Sequence, residues 1–240
     1  MKESRQRSAI NGQRRIVVVT GSDTGVGKTV LTALLTRRLR AEGVNAVALK
    51  PLCSGGREDA VALHAANDGV LTMDEVNPWH FRAALAPVLA ARREGRGVKL
   101  AEVVARVRAV ARRFEVVLVE GAGGLLSPLG EGFDSRDLIA ALRAVPVVVV
   151  PNRLGAVNQA RLLLEALPNA ARSRTQVVLV DQAIVDTAAR SNALLLEECV
   201  PNVSITRLPG VSSVDTVGEV KQNRRVAAAL RPLAAALVKR

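Results

Sequence analysis

From Ile16 onward the chain alternates short, nearly continuous apolar runs rich in β-branched residues with longer segments in which Ala, Leu and Arg recur at helical spacing. The short runs fall at Ile16–Thr20, Val44–Leu49, Val116–Val119, Val147–Val150 and Gln176–Val180, with a weaker one at Val203–Thr206. Their lack of polar alternation predicts strands buried on both faces. The longer segments predict helices at Lys28–Ala41, Asp59–Asn67, Leu100–Arg113, Ser135–Arg143, Ala156–Leu167, Thr187–Glu198 and Arg224–Lys239, with Gly43 and Gly69 as stop signals. Pro87 interrupts Ala83–Glu94, so a helix there should begin at or near the proline. There is no internal repeat and no low-complexity linker. The pattern predicts one α/β domain over residues 16–240, a mainly parallel sheet covered by helices on both faces, preceded by a disordered basic leader over residues 1–15.

Composition narrows the function classes. A chain of 240 residues with 49% apolar and 23% charged positions has globular composition and is long enough for a sizeable core. Trp79, three Phe and no Tyr leave little aromatic surface on which bases could stack, which argues against a single-strand nucleic-acid binder. The net charge of +12 would attract anions, yet its arginines are dispersed. Arg5, Arg7, Arg14 and Arg15 lie on the leader, and Arg37, Arg38 and Arg40 punctuate a helical stretch, so a solvated surface is expected and no specific nucleic-acid partner. Cys53 and Cys199 lack a CxxC partner, and neither His64 nor His80 has a second ligand at metal spacing, so no zinc site or disulfide scaffold is indicated. Cys53 has no paired base that would make it a nucleophile. The leader lacks the apolar region of a secretory signal and no apolar run reaches about 18 residues, which points to a cytoplasmic protein with no membrane partner.

In an open parallel sheet, ligands bind beyond the carboxyl ends of the strands. The segment Val17-Val18-Val19-Thr20-Gly21-Ser22-Asp23-Thr24-Gly25-Val26-Gly27-Lys28-Thr29 runs from a strand through a glycine-rich turn into a helix, the context a phosphate-binding loop requires. Thr24, Gly25, Val26 and Gly27 would turn backbone N–H groups inward, and the helix N-terminus adds partial positive charge. Lys28 is placed to contact the β and γ phosphates of a nucleotide, and Thr29 to bind Mg²⁺. Gly21 stands one residue farther from Gly27 than the general pattern asks. The chain thus reads as a P-loop NTPase-like domain using ATP and Mg²⁺.

Three further polar sites follow strand ends. Lys50, in Leu49-Lys50-Pro51-Leu52-Cys53-Ser54, brings a cation to the ligand edge, where it meets a phosphate or carbamate group or stays a solvated loop lysine. Ser54 is a candidate hydrogen-bond donor beside it. Asp59 either supplies an oxygen to Mg²⁺ or caps a helix, and the spacing does not choose between them. Glu120, at the end of an apolar strand, is placed to bind Mg²⁺, and Gly121, Ala122, Gly123 and Gly124 let backbone approach phosphate or substrate.

Taken together these motifs resemble the dethiobiotin synthetases. The likeness is carried by Thr20 to Thr29, Lys50-Pro51-Leu52-Cys53-Ser54-Gly55, Asn77-Pro78-Trp79-His80-Phe81 with Pro87, Val119-Glu120-Gly121-Ala122-Gly123-Gly124, and Leu154-Gly155-Ala156-Val157-Asn158, in family order and across roughly residues 16 to 182. The stretched phosphate loop is itself similar to the family's form. The resemblance implies an ATP-dependent ligase in which 7,8-diaminononanoate and CO₂ form a carbamate, ATP phosphorylates it, and the second amine closes the ureido ring. It implies that Lys28 and Lys50 stabilise developing charge, that Thr29, Asp59 and Glu120 hold Mg²⁺, and that Ser54 and Gly121 to Gly124 line the diamine site. It also implies a homodimer in which Leu154, Gly155 and Asn158 reach the partner's substrate. The chain departs from the family at Val180-Asp181-Gln182, where an Asn-Asp pair reads adenine, at Gly25, often acidic, and in having no Tyr in Thr187–Glu198. Its Pro-rich nucleotide loop is reduced to Leu208-Pro209-Gly210. Two other readings share the phosphate loop. One is a switch ATPase of the partitioning type, which usually carries a second lysine where Asp23 stands; the other is a nucleotide-binding homologue without ligase activity.

Overall fold

The six apolar runs form one parallel sheet in the order β2-β5-β1-β6-β7-β8, comprising β1 (Arg15–Gly21), β2 (Ala46–Leu49), β5 (Val116–Glu120), β6 (Val145–Asn152), β7 (Gln176–Asp181) and β8 (Ser204–Leu208). The computed structural model describes residues 14–210 and 224–238. Between the strands run α1 (Lys28–Ala41), α2 (Glu58–Ala66), α5 (Leu100–Ala111), α6 (Ser135–Leu142), α7 (Ala156–Ala166), α9 (Thr187–Cys199) and, last, α10 (Arg224–Val238). Successive residues at the end of β5 point to opposite faces: Glu120 bonds Thr29 of α1, whereas Gly121 lies against Ser135 of α6. Helix α1, packed on α10, therefore covers one face and α6, packed on α5, the other. This two-sided cover explains why β5 and β6 are buried along their whole length and why their sequence shows no alternation.

Several boundaries differ from the sequence reading for identifiable reasons. Strand β6 extends beyond Val147–Val150 through both flanking prolines, although proline cannot donate to a ladder. Pro146 pairs only with β1 and Pro151 only with β7. Because Val149 turns its carbonyl toward β1, alternation aims the nitrogen of Pro146 at the side where β7 has not begun and that of Pro151 at the side where β1 has ended. Arg15, expected in the leader, belongs to the sheet. Arg15 opens β1, its N–H donating to the Glu115 carbonyl at 2.8 Å and its guanidinium to the Ala236 carbonyl at 3.0 Å. Residues 1–13 of that leader, and Lys239, lie outside the described residues. Val44 belongs to the turn after α1, its N–H bonding the Leu39 carbonyl.

Four short elements carry too few residues for a periodic signal. These are a two-stranded parallel sheet of β3 (Leu52–Ser54) and β4 (Trp79–Phe81), and the four-residue helices α3 (Met73–Val76) and α8 (Asn169–Arg172). Helix α4 (Pro87–Arg93) starts at its proline, as expected. Among the described residues no helix is long and apolar enough to cross a membrane.

Edge strand β2 has its outward polar groups occupied by side chains. Fully buried Asn67 accepts from the Ala48 N–H at 2.7 Å and donates to the Ala48 carbonyl at 2.9 Å, and Arg40 donates to the Ala46 carbonyl. One amide thus mimics the strand that would otherwise pair there. Asn67→Ala leaves a buried donor and acceptor unpaired, and we expect a loss of about 2–4 kcal/mol in urea unfolding, against less than about 1 kcal/mol for an exposed control such as Arg190→Ala.

Candidate functional site

The phosphate loop begins where β1 runs out of partners. A Cβ on Gly21 would come within 2.8 Å of both the Val149 carbonyl oxygen and the Val26 side chain, so only glycine permits the chain to turn between them. Gly25 and Gly27 adopt positive φ of 74° and 98°, and Gly27 is the N-cap of α1 without any side-chain cap. The first N–H groups of α1 are thereby left for an anion. The loop 121–125 crosses above: Leu125 donates to the Gly21 carbonyl at 3.0 Å, and a Cβ on Gly124 would meet the Ser22 carbonyl oxygen at 3.0 Å.

Register then assembles the charged groups. Leu49 pairs with Val119, so the next residues, Lys50 and Glu120, emerge side by side at the carboxyl edge. Lys50 Nζ donates to Glu120 Oε1 at 2.5 Å, to Asp59 Oδ2 at 3.0 Å and to the Gly121 carbonyl at 3.1 Å. Thr29 Oγ1 donates to the same Glu120 oxygen at 2.8 Å. Lys28 Nζ folds back onto the Asp23 carbonyl at 2.6 Å. Lys28, Lys50 and Glu120 are all buried, while Asp59 is half-exposed. These residues face a cavity of about 800 Å³, whose wall also includes Thr24, Cys53, Ser54, Leu85, Ala122 and Ser127.

The electrostatics distinguish the two lysines. Burial, followed by repulsion from Lys50, lowers Lys28 to about 8. Burial also acts downward on Lys50, but the Glu120 and Asp59 carboxylates outweigh it and push its pKa up. For Asp59 burial acts upward and Lys50 overcomes it, so the carboxyl stays below the usual range. Burial raises the Cys53 thiol to about 11, which keeps it protonated and unreactive near neutral pH. Asp59 is not a helix cap: Arg57 is the N-cap of α2, and Asp59 sits in its first turn, aimed at Lys50.

Glu120 Oε2 is buried with no hydrogen-bond partner among the described residues. An orphan carboxylate oxygen beside a hydroxyl and a second carboxylate fits a hard divalent cation. No cluster of three Asp, Glu, His or Cys side chains that could hold a metal exists among the described residues, so Thr29 and a phosphate oxygen are needed to complete such a shell.

Of the residues singled out in the sequence, Thr24, Gly25, Gly27, Lys28, Thr29, Lys50, Ser54, Asp59, Glu120, Ala122 and Gly123 share the cavity wall. Val26 is buried beneath the loop. Gly121 and Gly124 lie behind the wall, Gly121 presenting its carbonyl to Lys50. Ser54 donates its hydroxyl to the Leu85 carbonyl at 2.6 Å. Leu154, Gly155 and Asn158 stand apart, exposed at the start of α7. Asp181 is engaged from two sides, by Arg207 Nε at 2.8 and 3.0 Å and by Asn152 Nδ2 at 2.7 Å. Asn77 was named only within the motif Asn77-Pro78-Trp79-His80-Phe81 and given no role of its own; its amide fixes the Lys50 backbone. The sequence reading passed over Ser127, whose Oγ accepts from the Gly124 N–H at 2.8 Å.

Residues 15–229 match a family model described as an AAA domain. The chain is 47% identical over 169 residues to the ATP-dependent dethiobiotin synthetase BioD of Anaeromyxobacter sp. (strain Fw109-5), covering 69% of this chain and 76% of that one. It is 37% identical over 185 residues to the BioD of Akkermansia muciniphila, covering 77% and 87%. Among solved structures, the MinD cell division protein of Aquifex aeolicus superposes with a TM-score of 0.62 at 16% identity, covering 94% of this chain and all of that one. At that identity the likeness shows the fold alone.

The lowered Lys28 has a measurable consequence. Below pH 8 the lysine is charged in both folded and unfolded chains and its burial is unfavourable; above about 10.5 it is neutral in both and the penalty is gone. Lys28→Met should therefore stabilise the ligand-free protein by roughly 1–3 kcal/mol at pH 7, an advantage fading between pH 8 and 10.5, while abolishing nucleotide binding in calorimetry.

Proposed function

Because the chain belongs to the dethiobiotin synthetase family, we propose that it is an ATP-dependent ligase that joins CO₂ to 7,8-diaminononanoate and closes the ureido ring, releasing ADP and phosphate. The observation that carries this reading is the Lys50–Glu120–Thr29–Asp59 constellation facing the cavity beside the phosphate loop.

One amine of the diamine adds to the carbon of CO₂ and loses a proton, giving a carbamate. A carbamate oxygen attacks the γ-phosphorus, the bond to ADP breaks, and a carbamic-phosphoric anhydride forms. The second amine then attacks the carbonyl carbon, its nitrogen giving up a proton to solvent, and inorganic phosphate leaves with the oxygen it gained. Both later steps concentrate negative charge between the phosphate loop and the cavity, where the buried Lys28 and Lys50 supply fixed cations. The raised pKa of Lys50 keeps it an ammonium throughout. Thr29, Asp59 and Glu120 would hold Mg²⁺, which when bound neutralises the β and γ phosphate oxygens. Ser54, Ala122 and Gly123 line the diamine end of the cavity, with Gly121 and Gly124 holding that loop in place.

We assign Leu154, Gly155 and Asn158 to the substrate site of a second copy in a homodimer. Leu154 is 77% exposed and Ile184, on a loop tied to it by the Leu154 N–H to Asp186 bond, is 87% exposed. Apolar side chains so bare suit burial between subunits.

Purified protein given Mg-ATP and bicarbonate should release phosphate only when the diamine is present; turnover without diamine, or none with it, contradicts the reading. Lys50→Gln keeps a donor for Glu120 and removes the charge, and should lower kcat by about 10²–10³-fold while leaving ADP affinity within threefold. Leu154→Asp should shift the protein toward monomer in light scattering and raise KM for the diamine more than KM for ATP.

A further inference from the structure

Lys50 is held at its side chain by carboxylates, but its backbone has to be set before its ammonium can be placed. One amide does this. Asn77, 1% exposed, donates its Nδ2 to the Lys50 carbonyl at 2.7 Å, and more distantly to the Pro51 and Trp79 carbonyls at 3.4 Å each. The neighbouring Val76 carbonyl accepts from the Lys50 N–H at 2.9 Å, so both polar groups of the Lys50 backbone end on residues 76 and 77. On its other side Asn77 Oδ1 accepts from Arg57 Nε at 2.9 Å, and the Asn77 carbonyl accepts from Arg57 Nη2 at 3.0 Å. Arg57 is the N-cap of α2, two residues before Asp59. A single buried side chain therefore touches the backbone of Lys50 and, through Arg57, the start of the helix that carries Asp59.

We infer that Asn77 is a positioning residue for the reaction: with Arg57 it clamps the exit of β2 to the start of α2 and so sets the Lys50 ammonium and the Asp59 carboxylate relative to Glu120. The inference rests on the reading of Lys50 as the group that stabilises transferring charge. An amide is required because both of its ends are used, the NH₂ toward Lys50 and the oxygen toward Arg57. Aspartate would keep the oxygen and lose the donor; leucine would lose both. The phosphate loop makes none of these contacts, so the clamp should govern turnover and leave the nucleotide's hold on Gly25, Gly27 and Lys28 alone.

The test uses the full chain carrying Asn77→Ala or Arg57→Ala and two readouts. The first is kcat against ADP affinity measured without metal. The second is limited acetylation by acetic anhydride, in which mass spectrometry compares Lys50 with exposed Lys99 in the absence of any turnover. For Asn77→Ala the expectation is a kcat about 10²-fold lower, the order that a misplaced catalytic group produces, with ADP affinity within threefold and Lys50 labelling raised several-fold. Arg57→Ala keeps the bond from Asn77 to Lys50 and should lower kcat by roughly tenfold; it decides the matter alone if Asn77→Ala does not fold. Wild-type kcat and wild-type Lys50 labelling in folded variants overturn the inference, as does a parallel fall of kcat, ADP affinity and Tm. If the wild-type protein shows no diamine-dependent phosphate release, the ligase reading has failed, and the labelling ratio still tests the clamp.

Discussion

A lysine and a glutamate buried side by side at the ends of neighbouring strands are the constraint around which the rest of the site is arranged. Neither charge is tolerable alone at that depth, since an unpaired buried ion costs several kcal/mol. Each offsets the cost of burying the other, and the parallel register that pairs Leu49 with Val119 makes their meeting unavoidable. The pair is incompletely satisfied, because one Glu120 oxygen has no partner among the described residues and Asp59 reaches Lys50 from a half-exposed position. That incompleteness distinguishes a site from a structural ion pair: the orphan oxygen and the Thr29 hydroxyl are what a cation would take up, and the ammonium is what a transferring phosphoryl group would meet.

The glycines serve the same arrangement by proximity. Gly21 lets the phosphate loop leave β1 between Val149 and Val26, and Gly124 lets the loop from β5 lie directly on Ser22. The charged groups of β2 and β5 thus come close to the first turn of α1, where an anion would be bound. On the opposite flank of the loop, Val180 packs against Gly27, and the Asp181 carboxylate is bonded by Arg207 and Asn152. The side facing the phosphate loop carries an ion cluster with one carboxylate oxygen unpartnered among the described residues, whereas on that flank the Asp181 carboxylate is engaged by Arg207 and Asn152.

Legibility in the sequence followed signal length. The main-sheet strands and the long helices were readable because each spans enough residues to show a period, and Lys28, Thr29, Lys50 and Glu120 were readable because each follows a strand or glycine loop directly. What escaped depended on distant partners. Strands β3 and β4 are three residues each and exist only because they pair with one another. The ends of β6 were hidden by Pro146 and Pro151, whose tolerance depends on where β1 and β7 stop. Asp59 was ambiguous between cap and ligand because Arg57 occupies the cap, a matter of local backbone angles. Asn77 was visible only as one position of a motif, and its role shows only when the Lys50 carbonyl is found lying against its amide.

If the phosphoryl group of ATP is transferred to a carbamate oxygen held beside Lys50, the fate of that oxygen tests the transfer most directly. In a single turnover with the diamine, Mg-ATP and freshly added C¹⁸O₂, quenched before the label exchanges with water, mass spectrometry should find one ¹⁸O in the released phosphate and one in the ureido carbonyl. Phosphate without ¹⁸O, its one new oxygen taken from solvent, would mean that water, not a carbamate, had received the phosphoryl group, and would contradict this reaction.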